Sequence, residues 1–577
     1  MERAGRRRLI WYPLGMTRDP AKHGGWDRPL AMATLIAAAV LIFRGILIAH
    51  YHGPNIDENY HLYRGLLFLR GDWKGLRGIR LNDPPLGEAL LAVPAWLNGQ
   101  HLSDPLHASA WSHGFPPPAK FCYVMPDPVR IETAIWKSLL FLPGVAVIFV
   151  WVRSVYCAAS AWLALAMVLT EPTLAALVPL PTPDGLAVEG IVIGAWAVWR
   201  FVTAPTGLRQ VEAAAAVAVA MLLKPNGIVL PAVAVVLAMV HWRLRDRADL
   251  PRKIRSFLLA CALVPVFIWV LLLGDVSAPF KLSDRAIFRS GPFRGGIPAG
   301  LYVESVWDPI LQERAGQTGY LLGKTSLFGW WYYFPVVAMY KVPIGMGIVA
   351  ALALASAWRI KPRYEETPLA VCAVAWTAAT MLQYIDVGFR HFLPAEIFLL
   401  MLCSRVLAEP GRIRRLAAWL AIAGGAIDVV AWTPDYLSYV NFPRQAAYLD
   451  ISDSNVDWGQ GIKQVRRWIE TQPADGRSIY LAYFGPTDQD LFAQIGPRLT
   501  EYLVISGSWI ARPEGCADPV VGLAPDHGLL ILSPVELTGQ YDPSDRFARL
   551  RTLPPDQVIG HCLLVYDLDR LRTRAGR

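Results

Sequence analysis

Asp57 and Glu58 stand side by side, and Tyr60, His61 and Arg64 follow them closely. Two carboxylates, a phenol, an imidazole and a guanidinium in one short stretch are the groups that abstract protons and hold anions. They come directly after an apolar run, Leu30 to Ala49, long enough to cross a bilayer. Ionisable groups where a membrane helix surfaces are costly to leave half-buried without partners. The stretch is therefore either a solvated loop or the rim of an active site. Read as a helix, 57–70 puts Asp57, Tyr60, His61 and Arg64 on one face, with Leu62, Leu66 and Leu69 roughly opposite. That is an interfacial amphipathic helix offering acid and base groups to a cavity. The structural alternative is a loop helix that Asp57 merely caps.

Further charged positions fall at similar places. Asn82-Asp83-Pro84-Pro85-Leu86-Gly87 leads into a second amphipathic segment, Glu88–Leu97, through two prolines that favour an extended approach. As structure it is a turn; as chemistry it sets Asp83 beside the first acids. Pro181-Thr182-Pro183-Asp184 opens one apolar run, Lys224-Pro225-Asn226-Gly227 closes another, and Asp386-Val387-Gly388-Phe389-Arg390-His391 precedes a third. Each Lys or Arg alone reads equally well as a side chain snorkelling from a helix end.

The elements that must position these residues are membrane helices. Of 577 residues 54% are apolar and 18% charged, with a mean hydropathy of +0.34. An ordinary soluble enzyme carries roughly 25% charged residues, whereas an all-membrane chain carries fewer than this one. A multi-span part plus a substantial wet part fits both. The net charge of +9 does not mark a nucleic-acid binder, because the basic residues sit in short clusters between apolar runs, as topology signals do.

Spans of roughly 20 residues read as 30–50, 135–152, 156–172, 184–203, 208–223, 226–242, 254–274, 332–357, 367–385, 390–408 and 414–434, about eleven in all. Residues 1–29, rich in arginine, are expected to be cytoplasmic. Every second loop is then basic: Arg153; Arg200 and Arg209; Arg243 to Arg255; Arg359 to Arg363; Arg405 to Arg415. This pattern puts loops 51–134 and 275–331, with Asp57, Asp184, Lys224, Arg390 and His391, on one outer face. The first run lacks a cleavage site and reads as a retained signal-anchor. The membrane domain is thus 30–434.

From 435 to 577 apolar runs shorten to strand length. Ser478–Phe484, Glu501–Ile505, Leu529–Pro534 and Cys562–Leu568 read as strands, with helices near 458–471 and 543–551, which makes a C-terminal α/β domain on the outer side. Seven cysteines show no metal-ligand spacing; Cys516 and Cys562 lie together in this wet region, where an oxidising compartment would permit a bridge. Asp453, Asn455 and Asp457 suggest a calcium loop, but Gly459 falls one position late and Gln464 stands where a bidentate Glu is required. Asp457-Trp458-Gly459-Gln460 reads instead as a capping box for the helix near 458. Trp330 to Phe334 fit an interfacial aromatic belt. Lys341 lies inside an expected span, where a charge needs a partner or a cavity.

The acidic pair after the first span, the Pro-Pro-Leu segment, Thr182-Pro183-Asp184, Leu223-Lys224-Pro225-Asn226 and Gly388-Phe389-Arg390-His391-Phe392-Leu393-Pro394, in this order and on one face, resemble the protein O-mannosyltransferase and lipid A aminoarabinose transferase superfamily. These are polytopic glycosyltransferases of the GT-C fold. Gly329-Trp330-Trp331-Tyr332-Tyr333-Phe334-Pro335 and Asp453 to Gln460 resemble a bacterial branch of it. One departure is Asn82-Asp83, where relatives often carry His or Lys.

The resemblance implies an inverting, mannosyltransferase-like hexosyl or pentosyl transfer from a polyprenyl-phosphate-linked sugar to a hydroxyl of a protein, lipid or glycan, on the periplasmic face of the bacterial inner membrane. It implies Asp57 as the base, Glu58 as the second choice, and Asp184 as the second acid. Such transfer builds positive charge at the anomeric carbon and negative charge on the leaving phosphate. Arg64, Lys224, Arg390, His391 and Lys341 are the candidates to hold that phosphate, and Tyr60, His61 and Asp83 those to line the acceptor cavity. No cofactor is required; Asp57, Glu58 and Asp184 could together bind a divalent metal. Two rivals are a flippase or transporter of lipid-linked sugars, which lacks an inverted repeat, and a scaffold that presents the C-terminal domain.

Overall fold

The computed structural model describes residues 27–77, 81–100, 125–279, 291–359, 362–441, 446–473, 476–485, 501–502, 527–542 and 544–575. Its first part is a bundle of helices: α1 (Arg28–Tyr51), α2 (Glu58–Leu69), α3 (Trp73–Arg77), α4 (Pro85–Leu97), α5 (Asp127–Leu140), α6 (Leu142–Val155), α7 (Ala158–Thr170), α8 (Pro172–Leu177), α9 (Asp184–Thr203), α10 (Gly207–Leu223), α11 (Val229–Leu244) and α12 (Leu250–Leu271). After two short hairpins and α13 (Gly300–Ala315) come α14 (Tyr333–Lys341), α15 (Ile344–Arg359), α16 (Thr367–Met381), α17 (Leu393–Cys403) and α18 (Arg412–Val430).

Among the described residues five helical segments are long and apolar enough to cross a membrane: α1, α5 with α6, α9, Pro225–Leu244 and α12. The pair α14 and α15, bent by 117°, makes a sixth if it is one span. The chain is a multi-pass helical membrane protein. The other expected spans are helices, but α7, α10, α16 and α17 are shorter, and α18 carries Arg414, Arg415 and Asp428. Helices at the periphery, such as α1 with Leu35 and Phe43 and α12 with Leu258 and Val270, leave large apolar side chains uncovered, as lipid contact allows. α9 is the opposite: nearly all of it is buried, between α6, α10, α11 and α17.

The C-terminal part is an α/β unit. Its sheet has the order β6-β5-β7-β9-β8, from β5 (Ile479–Ala482), β6 (Glu501–Tyr502), β7 (Leu529–Leu532), β8 (Gln557–Ile559) and β9 (Leu563–Asp567); β1 to β4 are the two hairpins, Val276–Ser277 with Ile297–Pro298 and Gly319–Leu321 with Lys324–Ser326. β6, β5 and β7 run parallel; β9 is antiparallel to β7, and β8 is antiparallel to β9. Alternation sends Ile531 and Val565 to one face, against Ile462, Val465 and Ile469 of α19 (Ile462–Thr471). Leu530 and Leu532 go to the other, against Leu537 and Phe547. β8 was not legible in the sequence, and the helix expected near 543–551 is a 3-10 turn, Ala548–Thr552. The expected helix at 458 begins only at Ile462, because Asp457 Oδ1 accepts from Gly459 N (3.0 Å) and Gln460 Oε1 from Trp458 N (2.7 Å), closing a turn. Residues 1–26, 101–124, 280–290 and Cys516 lie outside the described residues; Cys562 is buried with no disulfide partner among them.

The two parts are joined by buried polar contacts. Asp435, after α18, accepts from His52 Nε2, His561 Nδ1 and Gln464 Nε2, each at 2.8 Å. Burial pushes the Asp435 carboxyl up, but the hydrogen bonds from His52 and His561 outweigh it and hold the group down at about 2. A carboxylate held below its unfolded value of 3.8 stabilises above that value and loses the contribution as pH falls toward the folded one. The gap corresponds to about 2 kcal/mol. Thermal unfolding in detergent is expected to show Asp435→Asn less stable than the wild type at neutral pH, with the difference shrinking on acidification below about pH 4. A pH-independent difference would contradict this account.

Candidate functional site

Asp57, Asp184, Lys224 and Arg390 meet at one end of the bundle, each delivered by a helix end. Lys224 caps the C-terminus of α10, and Asp184 opens α9, where the helix dipole favours a negative charge. Lys224 Nζ donates to Asp184 Oδ1 at 2.5 Å. The other oxygen, Oδ2, is 3.8 Å from Arg390 Nη1 and makes no hydrogen bond among the described residues. The Arg390 guanidinium also faces Asp57 Oδ2 at 3.4 and 3.5 Å. The result is a run of alternating charge, Asp57, Arg390, Asp184, Lys224. The Asp184 side chain is 3% exposed, that of Lys224 17% and that of Asp57 38%, so the network is most buried at Asp184 and most open at Asp57. His391, beside Arg390, lies within electrostatic reach of Asp184, Lys224 and Arg390.

Asp57 does not act as a helix cap. It stands at the head of α2, but its side chain makes no capping bond. Asn55 does that work, its Oδ1 accepting from Asp57 N (3.1 Å) and Glu58 N (3.0 Å). The loop before it is pinned to the C-terminal segment, since Gly53 N donates to Gln460 O (2.8 Å) and Ile56 N to Trp458 O (3.0 Å). The Arg390 guanidinium lies over the Trp458 ring, 3.9 Å from its centroid, a stacking that fixes the cation's plane. Phe389 N donates to Asn455 Oδ1 at 2.8 Å, which holds the 3-10 turn Phe389–His391. Segment 453–460 is thus part of the site, although its spelling reads as a cap. A charge at 390 awaiting an aromatic face was the only signal for Trp458.

Other candidate residues are placed elsewhere. Glu58 turns inward to Arg130, whose Nη1 and Nη2 both bond its carboxylate, the latter at 3.0 Å, while Nη2 also reaches Gly53 O at 2.8 Å. Arg64 joins a second, adjoining nest with His61, Asp83 and Glu88: Arg64 Nη2 is 2.5 Å from Glu88 Oε1 and 3.9 Å from Asp83 Oδ2, and His61 Nδ1 is 3.0 Å from Glu88 Oε1. Tyr60 is half-buried on the same helix. Burial, then Arg64, pushes the His61 imidazole well below its usual value and leaves it neutral. Burial raises the Asp83 and Glu88 carboxyls, against the pull of Lys224 and Arg64 on the first and Arg64 on the second. Lys341 is fully buried and spends its three N–H donors on the carbonyls of Leu437, Tyr439 and Asn455, each at 2.8 Å. An ammonium has three protons, so Lys341 has none left for a phosphate; it braces the segment that holds Arg390.

Two close approaches make the nest. A Cβ on Gly65 would lie 2.2 Å from Glu88 O, and one on Gly87 would lie 2.4 Å from Leu223 O. Only glycine lets α2 cross α4, and α4 reach the end of α10, this closely.

One of two candidate donor sets assembles among the described residues. Asp57, Glu58 and Asp184 do not assemble as metal ligands, because Glu58 is committed to Arg130. His61, Asp83 and Glu88 do bring one ligand atom each within 4.8 Å of one another, a spacing suited to a divalent ion, but the Arg64 guanidinium already supplies positive charge there.

No family model matches the chain, and no curated protein is similar to it in sequence. Among solved structures it is similar to ArnT from Cupriavidus metallidurans bound to undecaprenyl phosphate, at 14% identity over 94% of this chain and 98% of that one, with a TM-score of 0.45. It is similar to the apo form at 13% identity over 93% and 97%, with a TM-score of 0.47. Archaeal oligosaccharyltransferase AglB from Archaeoglobus fulgidus, in complex with an inhibitory peptide and a dolichol-phosphate, is similar at 12% identity over 79% of this chain and 63% of that one, with a TM-score of 0.46. ArnT is the lipid A aminoarabinose transferase, and both are of the GT-C superfamily that the sequence motifs resemble. Likeness this distant adds nothing to the geometry, on which the site stands.

The Glu58 placement is testable. Breaking a buried ion pair from one side costs about 3–5 kcal/mol, so Glu58→Gln is expected to lower the thermal midpoint strongly while the folded fraction keeps its function. A folded Glu58→Gln protein without function would return Glu58 to the site.

Proposed function

We propose that the protein is a GT-C-type glycosyltransferase of the inner membrane, which moves a sugar from a polyprenyl-phosphate carrier to a hydroxyl on the extracytoplasmic face. The observation that carries this reading is the alternating run Asp57, Arg390, Asp184, Lys224, most buried at Asp184 and open at Asp57. It offers a solvent-reachable carboxylate for a hydroxyl and two fixed cations for a phosphate, side by side.

In this reading Asp57 accepts the proton of the acceptor hydroxyl as that oxygen attacks the anomeric carbon. The bond from the anomeric carbon to the carrier's phosphate oxygen breaks, and its electron pair stays on the phosphate. One displacement inverts the anomeric centre. Arg390 and Lys224 meet the charge that develops on the phosphate with donors already in place, which needs no solvent reorganisation. Asp184 keeps the two cations apart and pointed. These steps require no metal. The neutral His61 and the Asp83 carboxyl line the neighbouring wall, on the acceptor side. The eleven-span topology, with the N-terminus cytoplasmic and the C-terminal domain periplasmic, belongs to the same proposal.

Purified protein supplied with a polyprenyl-phosphate sugar and candidate acceptors tests it. Asp57→Asn is expected to lower kcat by about 10²–10⁴, as loss of a general base does, without raising the donor KM. Lys224→Met and Arg390→Met should lower kcat/KM by about 10²–10³ each, and Lys224→Met should show part of this as a raised donor KM. Full transfer by Asp57→Asn refutes the mechanism; movement of the lipid across the bilayer without any transfer identifies a flippase.

A further inference from the structure

Lys137 is buried on α5, 1% exposed, and takes no part in the steps above. Its Nζ donates to Leu177 O at 3.1 Å, to Thr182 O at 2.8 Å and to Leu180 O. All three ammonium protons are therefore committed; one acceptor is the last residue of α8 and the other two belong to the connection between α8 and α9. That connection is itself tight, with Thr182 N donating to Leu180 O at 2.7 Å. It ends on Pro183 and Asp184.

Carbonyls in a buried connection need donors, and a neutral hydroxyl or amide would be a cheaper source than a charge brought out of water. The ammonium does one thing a neutral donor does not. It gathers three carbonyls, one at the end of α8 and two along the connection, onto one point, from a rigid helix that is not its neighbour in sequence. The direction in which α9 starts is thereby set, and with it the place of the Asp184 carboxylate, which lies within electrostatic reach of the same ammonium.

We infer that Lys137 is a positioning residue for Asp184: by clamping Leu177, Leu180 and Thr182 it sets where the carboxylate stands between Lys224 and Arg390. The inference rests on the proposed function only in what it predicts for lipid phosphate. Lys341 does the corresponding work across the site, where it ties Asn455 and so the Arg390 turn, and it serves as the internal control.

The test compares four full-length purified proteins: wild type, Lys137→Met, Asp184→Asn and the double variant. Two quantities are measured, amide hydrogen exchange and equilibrium binding of undecaprenyl phosphate. Lys137→Met should speed exchange across 177–184 by at least about tenfold, while 437–441, held by Lys341, stays as in the wild type. It should weaken lipid-phosphate binding about tenfold by itself but no more than about twofold when Asp184 is already Asn, because residues acting through one another are not additive. Equal losses in both backgrounds, or unchanged exchange across 177–184, overturn the inference and leave Lys137 as a prop. If the wild type binds no undecaprenyl phosphate, the proposed function falls, and the exchange measurement alone decides the role of Lys137. Should Lys137→Met not fold, Lys137→Gln enters the same cycle with the same expectations.

Discussion

Asp184 is a carboxylate almost without access to water, and much of the structure around it is what that requires. A buried charge must be paired and hydrogen-bonded or its cost is several kcal/mol. Lys224 supplies the close partner and Arg390 the distant one, and a cation between two acids then draws in Asp57. Each of these groups sits at a helix end, where backbone dipoles and turn geometry fix a side chain more firmly than a loop would. The nearly complete burial of α9 follows from the same need. The helix that begins with Asp184 has to be surrounded so that its first residue is held and dry.

Two kinds of device bring the helix ends together. Gly65 and Gly87 let backbones touch, and this brings the nest of His61, Asp83, Glu88 and Arg64 to lie against Lys224. Buried cations do the rest. Arg130 ties Glu58 to Gly53, Lys137 gathers the connection before Asp184, and Lys341 gathers the segments that hold Arg390. In each case a positive charge is stabilised by backbone carbonyls or a single carboxylate in low dielectric, so removing either side leaves a group with nowhere to turn. The C-terminal segment completes the ring. Trp458 lies under Arg390 and accepts from the backbone that precedes Asp57, so the α/β unit is part of the wall of the site.

The sequence displayed the parts of this site that depend on sidedness. Charge counts between apolar runs put Asp57, Asp184, Lys224 and Arg390 on one face, and the structure brings those four together. It did not display direction. Asp57 and Glu58 are spelled alike and adjacent, yet a helical step of about 100° sends one to the opening and the other to Arg130. Arg64 and Lys341 show only that a cation is present; which carboxylate or carbonyl claims it depends on α4 and on segment 437–455, far away in sequence. Trp458 and Asn455 were legible as a turn, because their site contacts are with residue 390 and its neighbour. The fold class and the C-terminal strands followed from period and length. Of the expected spans, helices such as α10 and α16 are too short to meet a length rule alone and are defined by the neighbours they pack against.

The two acids of the network are not equivalent, and their difference gives the site a direction. Asp184 is held at 2.5 Å by Lys224 and is closed off, whereas Asp57 meets Arg390 only at 3.4 Å and is open. An anion arriving from the open side competes for Arg390 with Asp57, the weaker and wetter partner, and not with Asp184. Its binding therefore frees Asp57 without disturbing the pair beneath. Asp57 released from that cation can turn to an acceptor hydroxyl. On the proposed reading, the donor phosphate thus readies the base for the acceptor, and the order of events is set by which of two carboxylates can let go.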